Sequence, residues 1–130
     1  MIELDHVALP ARSSAESARQ LGGLLGGAPV TPEGPDGDMN AVHIGHRAMV
    51  LYMDHPTTEI PRQHLALRVD RELFDGLVAQ LRAQRIPFGN DPSDQRNGRT
   101  DDCIGTGGRV YFDDPDGHLL EIVTESVRAQ

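Results

Sequence analysis

The sequence has no lysine, no tryptophan and a single cysteine, and aromatic residues make up only 4% of it. All 12 basic residues are arginine, set against 20 acidic residues, for a net charge of −8. A missing lysine set points to GC-rich coding rather than to chemistry. The acidic balance argues against nucleic acid and anionic membranes as partners, since both demand concentrated positive charge. The scarcity of aromatics disfavours a stacking platform for bases or sugars. With Cys103 alone, an internal disulfide is impossible and a thiolate zinc site is excluded. The opening residues Met1–His6 carry neither a basic stretch nor an apolar run of the kind that directs secretion. No apolar run approaches the roughly 20 residues that span a bilayer. The expected location is the cytoplasm.

What is present is ordinary for a globular protein. The chain has 130 residues, 38% apolar and 25% charged. That is one domain, or two small modules sharing a core. At this length a chain buries roughly two-thirds of its unfolded surface and needs no stapling metal to fold.

One internal echo organises the chain. Residues 5–9 read Asp-His-Val-Ala-Leu and residues 63–67 read Gln-His-Leu-Ala-Leu, an offset of 58. After the first copy, Ser13 and Glu16 have capping-box spacing, and Ala18, Leu21 and Leu25 recur at helical spacing. Gly26, Gly27 and Pro29 then stop the helix. After the second copy, Asp70 is a good N-cap, and Phe74, Leu77, Val78 and Leu81 follow at i, i+3, i+4, i+7. Strand-like segments come next: 41–44 and 48–53 in the first half, 109–112 and 118–124 in the second. The second pair brackets Asp113–Gly117, whose Pro115 and Gly117 give it turn chemistry. Short third strands are expected near 29–31 and 86–88. The pattern is βαβββ twice, an α+β fold with an N-terminal module over 1–56 and a C-terminal module over 62–126. Residues 89–108 break the pattern with five glycines and Pro92. A loop of this length is a lid or a surface insertion.

The repeat carries chemistry. His6 and His64 hold the same place in the two copies. Side chains alternate along a strand, so His6 shares a face with Ala8, and His64 with Ala66 and Arg68. Val7, Leu9, Leu65 and Leu67 take the opposite, helix-packing faces. Pseudo-two-fold symmetry between the modules would bring the imidazoles together. Glu121 sits inside Leu119-Leu-Glu-Ile-Val123. A carboxylate in such a strand is costly without a partner, and a metal ion is one. Two histidines and a carboxylate make a facial triad that leaves coordination positions open. A structural histidine and a solvent-facing edge glutamate are the bland alternatives. His43 and His46 read as surface residues, and His118 as part of the final hairpin. Arg109 shares a face with Tyr111 and suits an anionic substrate group or a surface ion pair.

These residues resemble the vicinal oxygen chelate superfamily, which includes glyoxalase I, bleomycin-resistance proteins, extradiol dioxygenases and fosfomycin-resistance thiol transferases. Val110–Ile122 is similar to its final hairpin, and Leu4–Leu9 and His64–Leu67 to its other two ligand strands. The resemblance implies two βαβββ modules forming a curved mixed-sheet cup with helices outside. It also implies one divalent metal ion (iron, manganese, nickel, cobalt or zinc) on His6, His64 and Glu121. It further implies a homodimer, with each cup built within one chain or from two.

Departures narrow the chemistry. Bacterial glyoxalase I has a fourth ligand, a glutamate on the last strand of its first module. That position is Leu51 or Met49 here, and neither ligates a hard cation. The fosfomycin enzymes keep the same three ligands and a tyrosine matching Tyr111. However, the hydroxyl residue two after their first histidine is Ala8 here, and their lysine has no counterpart. The expected protein is a metal-dependent enzyme on a small oxygen-bearing substrate, by dioxygenase or enediolate-type lyase or isomerase chemistry. Tyr111 is its proton donor or acceptor, and Leu51, Met49, Arg109 and Ala8 line the substrate. The alternative is a non-enzymatic protein that binds a drug or metabolite in the same cup.

Overall fold

A computed structural model describes residues 1–125. Its elements run β1 (His6–Ala11), α1 (Ser14–Leu24), β2 (Val30–Glu33), β3 (Met39–Ile44), β4 (Ala48–Asp54), β5 (His64–Arg68), α2 (Arg71–Ala83), β6 (Gly108–Asp113) and β7 (Leu119–Thr124). The class is α+β, as expected. Two compact units meet in sequence at Pro61 and Arg62. The expected end of the second module, residue 126, lies outside the described residues. No helix among the described residues is long and apolar enough to cross a membrane.

In the first unit the strand order is β1-β4-β3-β2, with β1 parallel to β4 and the other pairs antiparallel. Ser13 caps α1 by accepting from the Glu16 N–H at 3.3 Å. Gly26 and Gly27 (φ 72° and 81°) turn the chain back after it, a backbone region that costs glycine nothing. Ala18, Leu21 and Leu24 are buried, α1 packing chiefly on β3 and β4. Burial of each leucine contributes roughly 1.5–3 kcal/mol. The apolar layer continues through Leu9, Val42, Val50 and Tyr52. The other face of this sheet is left to His6, Ala8, Met49 and Leu51.

The second unit is a three-stranded sheet, β5-β7-β6, with β5 parallel to β7 and β6 antiparallel to it. Asp70 caps α2, accepting from the Leu73 N–H at 2.8 Å. The stripe Phe74, Leu77, Val78, Leu81 is buried as its spacing predicts. Gly108 is required where β6 meets this helix: a Cβ there would lie 2.6 Å from the Phe74 ring.

The third strand expected near 86–88 does not form. In its place Gly89 alone bridges Tyr111, exchanging two backbone hydrogen bonds of 3.1 and 2.7 Å. Pro87 has no N–H to donate, and a turn between Asp91 and Asp94 takes the chain away at once. The loop over 89–108 is braced internally. Buried Asn90 donates to the Asp101 carbonyl, to Asp101 Oδ1 and to Cys103 Sγ, and accepts from Asn97 at 2.8 Å.

Candidate functional site

Register decides which side chains meet. On β5, His64, Ala66 and Arg68 share one face. Ala66 lies opposite Glu121 on β7, and Glu121 opposite Tyr111 on β6. His64 is one diagonal step from Glu121, and its Nε2 lies 2.8 Å from Glu121 Oε1. The imidazole is half exposed at 52%, whereas the Glu121 side chain is 10% exposed. The sequence-predicted pair is therefore in direct contact.

Arg109 shares the face with Tyr111, and its partners differ from both expected ones. Its Nη1 donates to Glu121 Oε2. Its Nε and Nη2 donate to Asp102 Oδ1 and Oδ2 at 2.9 and 3.3 Å. With a side-chain exposure of 16%, Arg109 is no surface ion pair. Three of its five N–H donors are thus engaged by the two carboxylates. Asp102 was missed by sequence reasoning. It sits in the Gly-rich loop, and the one signal for it is a bridge between Asp101 and Gly108 that only the fold reveals.

The electrostatics follow from these contacts. The Arg109 guanidinium holds the Asp102 carboxyl below its ordinary value. Hydrogen bonding to Asp102 in turn raises Arg109. Burial, and then the negative charge of Glu121, push the Tyr111 phenol above its ordinary value. Tyr111 is therefore a neutral phenol at neutral pH. A cavity of about 220 Å³ opens beside it, lined by Asn90, Asp102, Cys103, Ile104, Arg109 and Tyr111 among others.

In the first unit His6 is exposed, with Nδ1 2.7 Å from Asp5 Oδ2. Met49 lies opposite His6 and Leu51 opposite Ala8. Because Ala66 is opposite Glu121 and Ala8 is opposite Leu51, the position equivalent to Glu121 is Leu51, not Met49. The polar surroundings of Glu121 have no counterpart there: Ala41 and Met39 stand where the second unit has Tyr111 and Arg109. His43, read as a surface residue, is half-buried, and its Nε2 lies 2.7 Å from Thr31 Oγ1.

A second group, Asp114, Asp116 and His118, offers three buried ligand atoms within 4.8 Å of one another. Its geometry is that of a turn staple. Asp114 Oδ1 accepts from the N–H groups of Asp116 and His118 at 2.9 Å each, and His118 Nδ1 accepts from the Gln63 N–H at 3.0 Å. Burial raises the Asp114 carboxyl. His118 is fully buried.

Residues 3–122 match the family model of the Glyoxalase/Bleomycin resistance protein/Dioxygenase superfamily. The chain belongs to that superfamily. Among solved structures it is similar to one titled Oxidase ChaP-H2, at 30% identity, over 99% of this chain and 98% of that one, with a TM-score of 0.84. It is likewise similar to Oxidase ChaP-H1, at 32% identity, over 97% and 98%, with a TM-score of 0.85. An antibiotic binding protein from Streptomyces sp. CB03234, TnmS3, shares the fold at 21% identity over 97% and 98%, with a TM-score of 0.64. No curated protein matches the chain. Superfamily membership agrees with the resemblance drawn from the hairpin around Glu121 and from the two histidine strands.

Proposed function

We propose that this superfamily member is a divalent-metal-dependent oxidase acting on a small oxygen-bearing substrate. The observation that carries it is the contact between His64 Nε2 and Glu121 Oε1 at 2.8 Å. An imidazole and a carboxylate are donors suited to first-row divalent metals. Bonds of about 2.1 Å set at a right angle place two ligand atoms about 3 Å apart, so the pair fits adjacent positions on one ion. We assign the metal to His64 and Glu121, which meet within the second unit. The bound ion supplies Lewis-acid polarisation of two neighbouring substrate oxygens and, if it is iron, a path for electrons to dioxygen.

The chain's own residues supply the rest. Tyr111, protonated and next to Glu121, donates a hydrogen bond to a substrate oxygen and holds a proton for transfer. Arg109 fixes Glu121 through its Nη1. Oxidation is favoured over lyase or isomerase chemistry by the two relatives whose titles read oxidase, at 30% and 32% identity over nearly their whole length. Leu51, in the place of a carboxylate, removes the base that a glyoxalase I mechanism uses. The superfamily resemblance supports a homodimer as the working form.

The test is oxygen uptake by protein reconstituted anaerobically with Fe²⁺, over a panel of catechols, 2-hydroxy ketones and 2-hydroxy acids. Metal-dependent uptake with one class, absent in Glu121→Ala, is the expected result. Saturable binding of a panel member without turnover under every metal would instead establish a binding protein.

A further inference from the structure

Arg109 poses a problem for any cation on Glu121. A guanidinium donating to a carboxylate is among the stronger charge-assisted contacts, and it neutralises the charge a metal needs. Left to itself, Arg109 would turn its bidentate edge onto Glu121 and cover both oxygens. The structure shows that edge occupied. Nε and Nη2 are taken by Asp102 at 2.9 and 3.3 Å, so that only Nη1 reaches Glu121, at Oε2. Oε1 is left facing His64. Asp102 also returns one negative charge to a cluster that Glu121 and Arg109 alone would leave neutral. Its side chain is 6% exposed.

We propose that Asp102 is a positioning residue for the metal centre, restraining Arg109 so that it orients Glu121 without competing for it. This rests on His64 and Glu121 being metal ligands. Asp102 belongs to no strand. Its Oδ1 also accepts from the Ile104 N–H at 3.1 Å, so the loop sets its orientation. The Gly-rich segment before β6 thus governs how firmly the ion is held, through Asp102, Arg109 and Glu121 in series.

The experiment is a Mn²⁺ titration of metal-free protein, free ion being counted by electron paramagnetic resonance, with circular dichroism as the check on folding. The proteins are the wild type, Glu121→Gln, Asp102→Asn, Asp102→Glu and Asp102→Asn/Arg109→Met. Asp102→Asn keeps one acceptor, for the Ile104 N–H and Arg109 Nε, but loses the charge and the acceptor for Nη2, and is expected to weaken Mn²⁺ binding by roughly 10–100-fold, as outer partners of ligands do. Asp102→Glu should recover part of the loss. The double variant, which lacks the competing cation, should recover most of it. A merely structural Asp102 would leave the double variant no better than Asp102→Asn. That result, or unchanged binding in a folded Asp102→Asn, overturns the proposal. A wild type that takes up no Mn²⁺, or Glu121→Gln binding as tightly as wild type, overturns the metal assignment itself and the proposal with it.

Discussion

Leu51 holds in the first unit the register position that Glu121 holds in the second. Each lies opposite the alanine that follows the strand histidine by two residues, Ala8 and Ala66. The two units share the histidine but not the carboxylate. The neighbours differ as well: Met39 and Ala41 are apolar where Arg109 and Tyr111 surround Glu121.

A carboxylate at position 51 would therefore lack the arginine and tyrosine neighbours of Glu121, although His6 lies one diagonal step away. Leu51→Glu is expected to destabilise metal-free protein by about 1–3 kcal/mol. Leu51→Met should cost less than about 1.5 kcal/mol, being a near volume-conserving swap. Chemical denaturation of both variants checks this, and equal stability of Leu51→Glu and wild type would contradict it.

The Asp102–Arg109 pair makes stability depend on pH on the acid side. The folded-state value of Asp102 is lowered, chiefly by its hydrogen bond to Arg109. Its contribution is therefore fully present above the ordinary carboxylate value of about 4 and is lost as pH falls through the lowered value. Denaturation midpoints measured from neutral pH downward should fall for the wild type and fall less steeply for Asp102→Asn. Parallel profiles would show that the pair is not formed in solution.

Tyr111 is expected to ionise above the ordinary phenol value of about 10, owing to burial and then to Glu121. The neutral phenol's contribution to stability is present below that value and lost as pH rises through the raised one. Absorbance of the phenolate during an alkaline titration, compared with Tyr111→Phe, isolates the transition. Ionisation of Tyr111 at or below its ordinary value would remove it as a neutral hydrogen-bond donor beside Glu121.

Gly108 lets β6 lie against α2. Gly108→Ala would place a Cβ 2.6 Å from the fully buried Phe74 ring. The expected cost is about 1–3 kcal/mol from overpacking, read as a lower denaturation midpoint. At Gly23 on α1 a Cβ would meet no atom within 4 Å, so Gly23→Ala is the control and should be neutral or stabilising.

The sequence made the histidine strands legible because strand alternation has a period of two. Counting put His64 on a face with Ala66 and Arg68, and Tyr111 with Arg109, and the ladders bring His64, Glu121 and Tyr111 onto one face. Helix caps at Ser13 and Asp70 were equally legible, since capping depends on residues three apart. The absent strand near 86–88 was not, because whether Pro87 and Phe88 extend a ladder depends on where Asp91–Asp94 turns the chain. Nor was the choice between Leu51 and Met49, which rests on strand register and not on residue type. Asp102 was hidden for a further reason. Its partner Arg109 is seven positions away across a Gly-rich loop whose path is set by Asn90 and Asn97, and no periodicity describes such a path.

This chain is expected to hold one divalent ion on His64 and Glu121. Elemental mass spectrometry of untagged protein, purified without chelator beside His64→Ala and Glu121→Gln, tests it most directly. Near-stoichiometric metal in the wild type, strongly reduced in both variants, is the predicted result. Little metal in all three, with no uptake when iron, manganese, nickel, cobalt or zinc is added back, would contradict it.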